Sequence, residues 1–458
     1  MKIGLLPLGR PTFDVPFAQE NLGAMLAALD ATGHEIAGPR DLLFDADATE
    51  AAIADLQTQD IDFLLLLQVT FTDASLTIAA ANAFDIPLRI WAIPEPRVGG
   101  RLRLNSFCGL NLAGHALGLN QRSFGWIFAS PTGDIVTEVQ ALLDGKRNVE
   151  RLEGQASAEN SDAAKGVVQQ INGKRIGRLG EHPTGFDTCA YDAGQLRALA
   201  GVEVQEMALD TLFDTGKKAD ADDVAALKSN VDAEGLDQVD QVELDRSLRL
   251  KLALDEIRQS GKFDAFAIRC WPETFTEYGG AVCGPVSLLG EARVPCACEA
   301  DVYGALTQLI LQEASDGAVF LTDLVDVDCA DDTAVVWHCG QAPLSMLAEG
   351  ERPIATIHTN RKMPLLYEFP LKPGRVTFMR VSQAYGVPKM ILAGGEMLDR
   401  PKSFTGTSGV VRFDTPAKDV LDRVMNSGLE HHMALAYGDH RSLLREIAGV
   451  MGLPVLEL

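Results

Sequence analysis

Over the first third of the chain, apolar and polar positions come in blocks. "KIGLLPL", "EIAGP", "DFLLLLQV" and "LRIWAIP" are short apolar runs of the kind that strands buried on both faces require. The segments between them, such as "AQENLGAMLAALDAT" and "DASLTIAAANAF", space their apolar residues at helical intervals. This rhythm predicts a parallel sheet covered on both sides, a doubly wound domain over residues 1–165 that ends in the polar connection "RLEGQASAENSDAAKG". A second rhythm, from "GKRIGRLG" through "FDAFAIRC" and "VYGALTQLILQEA" to "TAVVWHC", predicts another such domain over 166–345. From 346 to 458 the texture changes to short alternating strands with Gly and Pro turns, among them "GRVTFMRVSQ", "PKMILAGGEML" and "GTSGVVRFD". The expected fold class is α/β: two doubly wound parallel-sheet domains followed by a β-rich, barrel-like C-terminal domain.

Composition narrows the partners. A chain of 458 residues exceeds a single core, and 47% hydrophobic with 23% charged residues is ordinary globular chemistry. The 64 acidic residues against 40 basic ones give a formal charge of −24, which repels phosphate backbones and anionic lipid, so neither nucleic acid nor a membrane is expected as a partner. The apolar runs fall short of the ~20 residues of a membrane span, and "MKIGLLPLG" lacks a signal-peptide profile, which places the protein in the cytoplasm. Cys270, Cys283, Cys296 and Cys298 cluster without the paired Cys-x-x-Cys spacing of zinc ribbons, and read as small buried hydrophobes.

Candidate chemistry sits where strands end. Only eight histidines occur, yet "GLEHHMALAYGDH" holds three of them. Ligands of open α/β sheets bind beyond the carboxyl ends of the strands. "FDAFAIRCW" runs into Glu273, "VPCAC" into Glu299 and Asp301, and "TAVVW" into His338. If these strands are parallel, the side chains emerge on one edge of one sheet, and His431 or His432 from the third domain adds the last donor. Two carboxylates with two imidazoles suit Mn²⁺, Co²⁺ or a similar divalent ion. Each residue also has an ordinary explanation: Asp301 as a helix N-cap, Glu273 as the cap of "EYGGAV", His338 as a hydrogen-bonded core histidine.

"RCWPETF", "CACEADVYGAL", "VVWHCGQAP", "FTGTSGVVRF" and "GLEHHMALAYGD", in this order, resemble the L-fucose/L-arabinose isomerase superfamily, in particular its fucose-isomerase-like branch. The resemblance covers the chain from about residue 170 onwards. It implies two α/β domains and a β-rich one, and a metal-dependent aldose–ketose isomerase, usually activated by Mn²⁺. It also implies a homo-oligomer, trimer or hexamer, with active sites near subunit boundaries. Carried over by position, it makes Glu273 the leading base and a metal ligand, leaves Glu299 or Asp301 as the second acid or ligand, and adds His338 with His431 or His432. Isomerisation must take a proton from C2 and deliver one to C1, which paired carboxylates and a Lewis-acidic ion accomplish.

Two further segments are candidates for holding the sugar: "GGRLRLNSFCGLNLAGH" with Arg101, Arg103, Asn105 and His115, and "GEHPTGFD" with His182. The branch includes enzymes for neutral sugars and for sulfonated ones such as sulfoquinovose, and a fixed anion at C6 would call for the planar fork of Arg101 or Arg103. A sugar-binding module without turnover is the alternative of another class.

Overall fold

The computed structural model describes residues 1–157 and 160–458. Its first sheet contains β1 (Lys2–Leu8), β2 (Glu35–Ala37), β3 (Phe63–Gln68), β4 (Leu88–Ala92) and β5 (Phe124–Phe128), all parallel and ordered β2-β1-β3-β4-β5. Every residue of β3 is buried, because helices cover both faces of the sheet. Each of its leucines contributes about 1.5–3 kcal/mol of burial free energy. The strand order reverses between β1 and β3, so the crevice beyond their carboxyl ends is the binding position of this topology.

A short strand, β6 (Gln155–Ala156), precedes a second parallel sheet of β7 (Arg175–Leu179), β8 (Glu203–Met207), β9 (Ala265–Ile268) and β10 (Cys296–Ala297), ordered β10-β9-β7-β8. It too reverses, between β7 and β9. The two α/β units therefore carry equivalent binding edges.

The third sheet is built from β11 (Phe320–Asp328), β12 (Thr333–His338), β13 (Ile354–Thr356), β14 (Leu366–Pro370), β15 (Gly374–Ser382), β16 (Lys389–Met397), β17 (Thr407–Phe413), β18 (His432–Tyr437) and β19 (Pro454–Glu457), with β6 at one end. Six of these strands close on themselves in the order β17-β12-β11-β18-β15-β16, the ring being completed by the antiparallel β16–β17 pairing. The barrel-like character expected from the alternating C-terminal strands is thus present.

Sequence texture groups β11 and β12 with the central unit ending at 345, but their hydrogen bonds do not. Both pair antiparallel within the third sheet, β11 with β18 and β12 with β17. His338 consequently does not share a parallel sheet edge with residues 273, 299 and 301. Uniformly apolar strands read alike whether they lie inside a parallel sheet or in a barrel wall, which is why the pattern could not assign them.

Two hydrophobic cores cross the seams between units. One joins Phe107 and Leu110 of the helix Ser106–Leu119 to Phe320, Leu429 and Met433. The other joins Ala297 and the helix Val302–Ser315 to Met379 and Ala434 of the barrel. The helix Ser106–Leu119 comes so close to the end of β3 that a Cβ on Gly109 would lie 2.6 Å from the Gln68 amide, an approach only glycine permits.

Candidate active site

Where the three sheets meet there is a cavity, the placement expected of a small-molecule site. Arg10, Thr12 and Phe71 reach it from the ends of β1 and β3, the switch point of the first sheet. Cys270, Trp271, Cys298 and Glu299 reach it from the ends of β9 and β10, and Asp323, His338 and His431 from the barrel.

Glu299 owes its position to an unusual backbone. It and Ala300 both lie in the left-handed region (φ 58° and 56°), which non-glycine residues seldom adopt and which clusters at functional sites. This turn sends Glu299 into the cavity and Asp301 behind it. Glu299 accepts from Trp271 Nε1 at 3.0 Å, and its other oxygen lies 2.8 Å from His431 Nε2. Burial alone would raise its pKa, but the bond and charge of His431, with His432 and Trp271, hold it down at about 2.

Asp323 sits inside the apolar run of β11, directly across from His432 in the strand register. Its Oδ1 is 3.5 Å from His432 Nε2 and has no hydrogen-bond partner. Burial lifts its pKa to about 6 against the opposing pull of His432 and His431. Two further buried atoms, His338 Nε2 and His431 Nδ1, also lack partners. Donor atoms of Asp323, His338 and His432 converge within 4.8 Å of one another, as do those of Cys189, Glu299, His431 and His432.

The residues expected from sequence divide sharply. Glu299, His338, His431 and Asn105 line the cavity. His432 stands just behind, its Nδ1 2.9 Å from Asp301. Asp301 itself is not on the cavity wall: its oxygens are taken by Gly304 N, by Arg380 and by His432, so it is both the helix N-cap and the partner of a fully buried arginine. Glu273 lies outside as well. Arg269 grips it through two bonds of 2.6 and 2.7 Å and holds its pKa below the usual range. Its charge is thus answered within its own turn of chain, and its side chain is not on the cavity wall.

Of the substrate candidates, Arg103 pairs with Asp14 at 2.9 Å and Arg101 donates to Thr12 O and Asn360 Oδ1, neither lining the cavity. His115 is a core histidine bonded to Gly428 O, and His182 is set apart on the turn after β7, its carbonyl bonded by Arg269.

Residues 4–152 match the family model described as fucose/sulfoquinovose isomerase, N-terminal domain, and residues 336–458 that of the L-fucose isomerase C-terminal domain. The sulfoquinovose isomerase of Alkalicoccus urumqiensis is 31% identical over 99% of this chain and 98% of its own. That of Priestia aryabhattai is 30% identical over 98% and 97%, and that of Clostridium sp. (strain MSTE9) 27% over 99% and 98%. The chain belongs to the fucose isomerase-like family. It is an aldose–ketose isomerase.

The isomerase carries cavity residues that sequence reasoning passed over. Asp323 had a legible signal, since a carboxylate within the apolar run "AVFLTDLVDV" is costly to bury without a task; the other one there, Asp326, is answered by Arg97 at 2.6 Å. Arg10, Trp271 and Arg361 had none, because nothing in their local pattern distinguishes them from surface or core residues. Cys270 and Cys298 form a close thiol pair in the cavity wall, Sγ to Sγ 2.6 Å, and Cys108, Cys283 and Cys339 also line it.

Proposed function

We propose that the enzyme is a divalent-metal-dependent isomerase of a sulfonated hexose, sulfoquinovose, assembled as a homo-oligomer. The observation that carries the metal reading is the convergence of Asp323 with His338 and His432, and of Glu299 with His431 and His432, beside one cavity with no lysine or arginine paired to either carboxylate among the described residues. Two buried carboxylates without a cation are unfavourable unless one is supplied. Buried Asp323 Oδ1 and His431 Nδ1 without partners fit such an ion, and a mixed O/N set favours Mn²⁺ or a similar hard to borderline metal. Substrate identity is supported by the relatives, all sulfoquinovose isomerases aligned over nearly their full lengths.

His432, the donor common to both sets, would hold the ion with Asp323 and His338 or with Glu299 and His431. When bound, it supplies Lewis-acid polarisation of the sugar's O1 and O2. The remaining chemistry falls to the chain. Asp323, a buried carboxylate on the cavity wall whose Oδ1 no protein group occupies, is suited to take the C2 proton and return it at C1. Glu299 stays ionised and, anchored by Trp271, fixes the reacting end of the sugar. His338 presents a free Nε2 that can carry a proton between the two oxygens. Cavity walls of Phe71, Phe275 and Trp337 exclude bulk water from the enediol.

The test is isomerisation of sulfoquinovose in D2O followed by NMR, before and after chelation. Activity should vanish on exhaustive EDTA treatment, return with Mn²⁺, and be accompanied by solvent deuterium at the transferred position or by intramolecular retention of the C2 proton. Undiminished turnover by protein shown to be metal-free would reject the metal reading, and failure to convert sulfoquinovose while a neutral hexose is converted would reject the substrate.

A further inference from the structure

Trp271 separates two kinds of charge in the cavity. Its Nε1 donates to Glu299, while the guanidinium carbons of Arg361 and Arg10 lie 5.3 and 5.6 Å from its ring centroid. Neither arginine pairs with Glu299 or Asp323. Arg10 is already answered, since it makes an ion pair with Asp73. Arg361 is not: among the described residues no carboxylate pairs with its guanidinium and no side-chain hydrogen bond holds it.

The loop that carries Arg361 is nevertheless fixed. His358 Nδ1 accepts the backbone N–H of both Asn360 and Arg361 at 3.2 Å, and Arg101 donates to Asn360 Oδ1 at 3.0 Å, one layer behind. A rigid loop thus presents an unpaired, half-buried cation to a cavity in a protein of net charge −24. Such a group is costly facing a neutral ligand and favourable facing an anion, for which the guanidinium offers two parallel donors. An open-chain hexose has its reacting C1–C2 unit at one end and its C6 substituent at the other, and Trp271 stands between Glu299, which its Nε1 bonds, and Arg361, which lies by its ring.

Resting on the isomerase reading above, we infer that Arg361, seconded by Arg10, forms the subsite for a sulfonate at the C6 end of the sugar. Arg361, rather than Arg101 or Arg103, then sets the preference for the sulfonated over the neutral substrate. Arg101 acts through Asn360 as a positioning residue.

Compare kcat/KM for sulfoquinovose and for its neutral counterpart 6-deoxyglucose, with Mn²⁺ present, in the wild type and in Arg361→Met and Arg361→Lys. The sulfonated-to-neutral ratio should fall roughly 10- to 100-fold in Arg361→Met, the range for loss of a charged hydrogen bond, and recover in part in Arg361→Lys, which restores the charge without the fork. A ratio unchanged in both variants overturns the subsite while leaving the isomerase reading intact, as does a wild type that converts both sugars equally. A folded, metal-loaded wild type that converts neither sugar rejects the reaction itself and the subsite with it. Should Arg361→Met fail to fold, the Lys variant decides alone: the full wild-type ratio with Lys excludes the bidentate subsite.

Discussion

Asp301 Oδ2 lies 2.9 Å from His432 Nδ1, and the same carboxylate holds both arms of the fully buried Arg380. Held ionised by Arg380 and His432 despite its burial, Asp301 can only accept, so the His432 proton sits on Nδ1. Nε2 is left as a lone pair 3.5 Å from Asp323 and 3.8 Å from Glu299. On the proposed metal reading, a carboxylate behind a histidine in this manner would orient the ligand without being one.

Asp301→Asn should therefore act twice. Leaving Arg380 buried without its main counter-charge costs on the order of 3–5 kcal/mol, read as a lowered urea midpoint. Loss of the tautomer lock should weaken Mn²⁺ binding by roughly 10- to 100-fold, read by titration. Unchanged stability would show that Glu430, 3.9 Å from Arg380, carries the pair alone.

Glu299→Gln and Glu273→Gln should differ. The first should keep the fold and lose several orders of magnitude in kcat, since Glu299, unlike Glu273, stands on the cavity wall. The second breaks a partly exposed ion pair with Arg269 and should cost about 0–1 kcal/mol with kcat within a few-fold of wild type. The opposite ranking would restore Glu273 as the base.

For Asp323→Asn, turnover should drop about 100-fold or more, the general range for removal of a positioned acid or base, while circular dichroism remains native because Asn fits the same strand position. Retention of most turnover would assign the proton transfer elsewhere.

His358 makes acidic conditions unfavourable in a defined window. It is half-buried, and desolvation there together with Arg361 depresses its pKa to about 3, while its Nδ1 must stay unprotonated to accept the two loop N–H groups. The unfolded histidine binds its proton near 6.5, so between about pH 6.5 and 3 the unfolded state carries more protons and stability falls as pH falls, by about 1.4 kcal/mol per unit. His358→Asn should flatten this slope in urea unfolding measured at pH 7.5 and 5.5; an equal slope in both proteins would assign the acid sensitivity to other groups.

Much of the architecture is legible in local pattern. Uniform apolar runs separated by helices announce the two parallel sheets, and alternating strands with Gly and Pro turns announce the barrel. The membership of β11 and β12 is not legible, because pairing partners lie up to about a hundred residues away and leave no periodic trace. In the site, Glu299, His338 and the histidine pair were readable as donors at strand ends. The pairing of Glu273 with Arg269 was not readable, because Arg269 looks from sequence like one more strand residue. That Glu299 faces the cavity while Asp301 turns behind it depends on the left-handed turn at Glu299 and Ala300, which no composition reveals.

The cores that run across both seams give the molecule no cut line. A fragment ending after the first sheet would expose the apolar side of the helix Ser106–Leu119, and one ending after the second would strip Val302–Ser315 of its barrel cover. Neither piece is a self-sufficient building block. Unfolding should accordingly be concerted, and damage far out in the barrel should be felt as lost geometry around the sugar before it is felt as lost secondary structure.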